Sequence, residues 1–161
     1  MTQATGHSTM DFPAQKIAVA HRQATMITGA IAASLVIYVI VVEVLKRSMP
    51  APEGAPSLDT IRIALFAIVG AVIFMTTVIK SMLLRRPAAT GDARLAQLRT
   101  ASILTAAFAE MPAVLGLILF LIGRRGADFY LLLVVAAYML ARHFPRRETW
   151  ENYVRRGGNV R

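Results

Sequence analysis

One stretch of the chain sets a carboxylate among apolar residues: Thr105 to Gly116, TAAFAEMPAVLG, with Glu110 two positions before Pro112. An acid in that setting has three uses: to exchange a proton, to hold a cation, or to accept hydrogen bonds that fix one helix to another. Partners for any of these must stand at the same depth. Counting inward from the charged flanks, the polar groups at that level are Ser34 in the first apolar run and Thr76 or Thr77 in the second. No Lys, Arg or His shares the level, so the candidates for an ion or proton site are Glu110, Ser34 and Thr76. Other chemistry is sparse. His7, His21 and His143 lie outside the apolar runs and far apart, where they read as solvated interface residues. There is no H-E-x-x-H, no G-x-S-x-G and no glycine-rich phosphate loop. With no cysteine, thiolate metal sites and disulfides are excluded. These absences predict a protein that is not an enzyme and uses no metal or cofactor.

The elements that must position Glu110 follow from composition. Of the 161 residues 56% are hydrophobic and 17% charged, against roughly 25% charged in soluble domains. The mean hydropathy is +0.54. Four apolar runs predict an all-α polytopic membrane protein with spans at about 23–45, 60–84, 99–123 and 128–144. They pair as two tandem hairpins within a transmembrane domain covering 12–144. The fourth run is short, and it spans only if Arg142 snorkels and Tyr130 and Tyr138 sit near headgroups. Residues 1–11 are expected to be a disordered N-terminus, and Phe12 to Arg22 an amphipathic turn at the interface. Met49 to Ser57, with three prolines, reads as a rigid outer loop. Thr90 to Arg94 reads as a turn, and residues 145–161 as a basic juxtamembrane tail. Within that tail Glu148 to Arg156 is expected to lie on the surface as a short helix.

Charge sets the direction. The net charge is +9, with 5 Lys and Arg (Lys46, Arg47, Arg62, Arg124, Arg125) on one side of the four spans and 13 on the other. The positive-inside rule then puts both termini in the cytoplasm, in a bacterial inner membrane. Because the basic residues stand between apolar runs, the partners implied are the lipid bilayer and anionic lipid headgroups at the cytoplasmic face, not nucleic acid. A homo-oligomer or a larger membrane complex is the other expected partner.

Two patterns describe the setting of Glu110. Ser102, Ala106, Ala109, Ala113 and Gly116 form a small-residue stripe at helical spacing, which lets another helix approach closely. Pro112 beside it cannot donate to the carbonyl of Phe108, so a kink is expected. The second pattern is an internal repeat. At an offset of 77, Arg22/Arg99, Ala24/Ala101, Thr28/Thr105, Ala30/Ala107 and Ala32/Ala109 are identical, which reads as a duplicated hairpin. In that register Glu110 stands opposite Ala33, so the acid belongs to one half only. Glu43, near the outer boundary, is expected to pair with Arg62.

The run AAFAEMPAVLGLILFLIG, Ala106 to Gly123, resembles the carboxylate helix of the proteolipid ring subunits of rotary ATPases. In that family a mid-membrane acid among small residues exchanges the transported proton or sodium ion, a role the resemblance implies here for Glu110 alone. Here the acid stands on the first helix of its hairpin rather than the second, and no span is glycine-rich. The wider likeness is to small four-helix bacterial membrane proteins that are loosely proteolipid-like. Three functions stay open. The first is a structural or accessory membrane protein that packs with itself or a larger complex. The second is a proton- or ion-translocating subunit using Glu110, and the third a small transporter.

Overall fold

The computed structural model describes residues 11–48, 58–85 and 90–156. All of its regular structure is helical: α1 (Asp11–Ser48), α2 (Asp59–Arg85), α3 (Gly91–Gly123), α4 (Gly126–His143) and α5 (Arg147–Arg156). Three helices, α1, α2 and α3, are long and apolar enough to cross a membrane. α4 is not among them. It has 18 residues, with Asp128 in its first turn and Arg142 and His143 in its last.

The helix ends follow from local chemistry. Lys46 and Arg47 close α1 and Asp59 opens α2, each charge set against the backbone dipole it favours. Thr90 caps α3: its hydroxyl accepts from the Ala93 N–H at 3.3 Å, with Asp92 in the first turn. The turn expected over Thr90 to Arg94 is therefore the first turn of a helix. At the other end Arg124 takes a left-handed conformation, φ 54°, and its N–H donates to the Phe120 carbonyl at 2.7 Å. That reverses the chain into α4. Helix α3 runs unbroken through Pro112, because the missing N–H removes one rung and its neighbours hold.

α3 is the axis of the molecule. It touches every other helix, whereas α2 lies along α3 and reaches α4 only through a side chain, and α1 meets α4 only lightly. The shared core lies where α1, α3 and α4 converge: Leu35, Ala106, Ala109, Ala113, Ala136, Met139 and Leu140. A second cluster, beyond the apolar midsection, gathers Ala20, Ala24, Leu98 and Trp150, with Ile17 and Leu95 against it. It corrects two expectations. Phe12 to Arg22 is no separate amphipathic turn, because α1 is continuous from Asp11 and packs Ile17 and Ala20 into the same cluster as Leu95 and Leu98 of α3. The short helix expected over Glu148 to Arg156 is present as α5, but it docks rather than lying free on the surface, with Trp150 only 2% exposed. Burying that indole is worth about 3 kcal/mol or more. The His21 ring meets Trp150 edge-on at 5.7 Å and donates through Nε2 to the Pro145 carbonyl at 3.1 Å. Lys16 and Asp92 pair at 3.0 Å on the same end.

The expectations for residues 1–10 and for the proline-rich loop at 49–57 lie outside the described residues. Of the repeat, one pair is directly visible. Thr28 and Thr105 are both 2% exposed. Each donates its hydroxyl to the alanine carbonyl four residues back, Ala24 at 2.9 Å and Ala101 at 2.8 Å.

Candidate functional site

Glu110 sits at the edge of the buried face of α3, half-buried rather than enclosed. Ala106, Ala109 and Ala113 beside it are at most 2% exposed. Just beyond it, Met111, Ile118 and Leu121 face outward on the side that no other helix covers. The acid thus marks the seam between α3 and α1. Two hydroxyls from α1 meet it there. Tyr38 donates to Glu110 Oε1 at 2.6 Å, and Ser34 Oγ stands 2.5 Å from the same oxygen. Residues four apart lie on one helix face, so Ser34 and Tyr38 reach the acid as a unit, one turn apart. Ser34 Oγ is also 2.7 Å from its own Ile31 carbonyl. Oε2 of Glu110 receives no hydrogen bond among the described residues.

Of the residues singled out by depth, the structure brings Ser34 to Glu110 and keeps Thr76 away. Thr76 is fully buried, but its hydroxyl donates to the Val72 carbonyl of its own helix at 2.7 Å. Thr77 does the same toward Ile73 at 3.2 Å. Depth alone could not separate them, because α1 and α2 lie on different flanks of α3 and do not touch. Tyr38 was missed. Its signal was available as an i, i+4 partner of Ser34, but the search counted small hydroxyls and overlooked the reach of a phenol.

At one end of the small-residue stripe another helix comes very close. At Gly116 an added Cβ would stand 3.0 Å from Leu132 Cβ and 3.4 Å from Phe129 Cα, so α4 lies directly on α3 there. Pro112 is buried with it, and Ser102, half-buried, ends the stripe at the edge of a cleft.

At the opposite end of α3 from the Trp150 cluster, a second set of charges ties helices together. Arg62 on α2 pairs with Asp128 on α4 at 2.8 Å, and the Asp128 side chain is 5% exposed. Glu43 pairs with Lys46 at 3.1 Å and accepts from the Tyr130 hydroxyl. The expected Glu43–Arg62 pair does not form, because α1 and α2 are not neighbours and Asp128 presents itself to Arg62 first. His143, like His21, is committed to a backbone carbonyl, donating through Nδ1 to Met139 at 2.8 Å. Among the described residues no three His, Asp or Glu side chains group as metal ligands would.

No known protein family, no characterised protein and no solved structure matches this chain. The functional reading therefore stands on the geometry of Glu110 and of the helices around it.

Proposed function

We propose that this is a small integral membrane protein of structural or accessory type, in which Glu110 clamps α1 to α3. The observation that carries this reading is the double hydroxyl contact at Oε1: Tyr38 and Ser34 converge on one oxygen from a single helix face. An acid placed to bind a travelling ion would offer both oxygens to a cavity. This one spends its better-placed oxygen on its neighbour. In the same reading α4 is the fourth span. Its 18 residues cover about 27 Å at 1.5 Å per residue, close to the apolar thickness of a bilayer. Both termini then lie in the cytoplasm by the positive-inside rule, and no catalytic or cofactor role is assigned. The acid-free outer face of α3 is left to lipid or to a second protein.

A second reading, proton or ion exchange at Glu110, has its own support. Ser34 has one hydroxyl proton for two acceptors, Ile31 O and Glu110 Oε1. A carboxyl that brings its own proton completes both contacts, and one without it leaves one contact lacking a hydrogen. With Oε2 uncommitted at a half-buried edge, the group has a route for a proton to enter and leave. The resemblance of Ala106 to Gly123 to the proteolipid carboxylate helix points the same way. Reaction with a hydrophobic carbodiimide separates the two readings. The clamp reading expects Glu110 to stay unmodified in folded protein. Selective modification of Glu110 that sodium or a rise in pH suppresses would overturn it in favour of exchange.

A further inference from the structure

A cleft of about 890 Å³ opens between α2, α4 and α5, with α3 as its floor. Its chemistry is one-sided. Lys80 comes from α2, Arg142 and His143 from the end of α4, and Arg146 from the link to α5. Among the described residues, no Asp or Glu lines it. Lys80 and Arg142 stand close enough for their charges to oppose one another, a cost that an anion between them removes. Two hydroxyls in the lining, Ser102 and Thr149, donate to no neighbour among the described residues. Cations without carboxylates, beside uncommitted hydroxyl donors, are what a phosphate group requires: charge-assisted bonds to its oxygens and neutral donors for the remainder. The wall is also preformed. Trp150 and Pro145 are buried, so the Arg146 and Thr149 backbone is anchored before any ligand arrives, which lowers the ordering cost of binding.

We propose that this cleft holds the phosphate of an anionic lipid headgroup. A lipid rather than a soluble phosphate is favoured by where the cleft leads. The backbones of α2 and α4 stay apart and are joined by the Arg62–Asp128 pair at the far end of α3, so the gap between them continues from the cleft along the apolar part of α3. Tyr138 lines the cleft, and Phe74 stands one turn from the lining residue Thr77 on α2; they are 63% and 69% exposed. A headgroup seated on Lys80 and Arg142 sends its acyl chains down that gap. The proposal rests on the membrane-spanning reading above, but not on the role of Glu110.

The test is native mass spectrometry of the full chain in neutral detergent, doped in turn with phosphatidylglycerol, phosphatidylcholine or inorganic phosphate. One phosphatidylglycerol should be retained per chain and phosphatidylcholine should not. Losing two charge-assisted contacts in K80A/R142A should weaken retention about tenfold or more. R94A/R99A makes the same charge change outside the cleft and should leave retention unaltered. Thr149→Phe, which fills the cleft without changing charge, should also displace the lipid. Equal loss in both double variants would mean diffuse attraction to a basic face and would overturn the site. So would retention of phosphatidylcholine to the same extent, or continued binding in Thr149→Phe. Inorganic phosphate held as tightly as the lipid would overturn the lipid assignment. Glu110→Gln should leave retention unchanged, so failure of this site and failure of the clamp are read separately.

Discussion

α3 is held on two flanks by opposite means. Toward α4 it offers Gly116 and Phe120 to Phe129 and Leu132, an apolar contact in which backbone nearly meets backbone. Toward α1 it offers Glu110 to two hydroxyls. In lipid the first mode relies on dispersion between closely fitted surfaces, since tails are as apolar as leucine. The second adds, to the packing of Ala24 and Leu35, a few hydrogen bonds worth on average about 0.6 kcal/mol each inside a membrane. The difference separates what holds the helices together from what sets their rotation. The α4 flank supplies most of the cohesion. The α1 flank fixes which face of α1 is presented, because only one face carries Ser34 and Tyr38. The acid is therefore absent from the close Gly116 contact and present where a half-open edge remains.

Breaking the α4 flank should do the most damage. Gly116→Ile drives a branched side chain into Leu132 and the Phe129 backbone, which already stand 3.0 and 3.4 Å from a bare Cβ. Overpacking of this kind costs about 3 kcal/mol. Unfolding in mixed detergent, followed by helix–helix proximity between α3 and α4, should show that loss. Gly116→Ala should cost about 1 kcal/mol, because Leu132 can give a few tenths of an ångström. If Gly116→Ile unfolds no more readily than the native chain, α4 does not lie on α3 as described.

The α1 flank should respond less, and in a way that depends on the atom removed. Glu110→Ala leaves two hydroxyls facing an empty site and should cost about 1–2 kcal/mol. Glu110→Gln keeps a carbonyl oxygen where Oε1 stands and should stay within about 0.5 kcal/mol of the native chain. The same unfolding measurement checks both. A Glu110→Gln loss as large as that of Glu110→Ala would mean that the ionisable carboxyl itself is needed, and the exchange reading would gain.

How much of this was legible from residues alone differs between the two flanks for a physical reason. The small-residue stripe was readable because period 3.6 and residue size suffice to define a close-packing face, and Ala106, Ala109, Ala113 and Gly116 are buried together. Glu110 announced itself by charge against background. Its partners did not, since which helix lies on which flank is a property of assembly. Depth counting gave Thr76 and Ser34 equal standing, and only the order of helices around α3 separates them. The same ignorance of order misassigned Arg62, which Asp128 takes instead of Glu43. Docking of α5 was hidden because its helix is polar overall. Among its described side chains Trp150 carries the contact, and a lone tryptophan reads equally well as a lipid anchor.

The smallest expected effects test how the clamp is divided. Tyr38→Phe removes a hydroxyl whose main hydrogen-bond partner is Glu110, with Ser34 beside it, and should cost about 0.6–1 kcal/mol. Ser34→Ala should cost less, about 0.3 kcal/mol, because Ser34 also has the Ile31 carbonyl at 2.7 Å and loses only a shared contact. Neither figure alone assigns the interaction to Glu110, so each variant belongs in a double-mutant cycle with Glu110→Ala. For Tyr38 the coupling should recover most of the single-variant loss, since Glu110 is the main partner of its hydroxyl. For Ser34 it should be close to zero if the proton rests on Ile31. It should approach the Tyr38 value if the proton points at Oε1. A Ser34 coupling above that of Tyr38 would reverse the order drawn from the distances and make Ser34 the principal tether of α1.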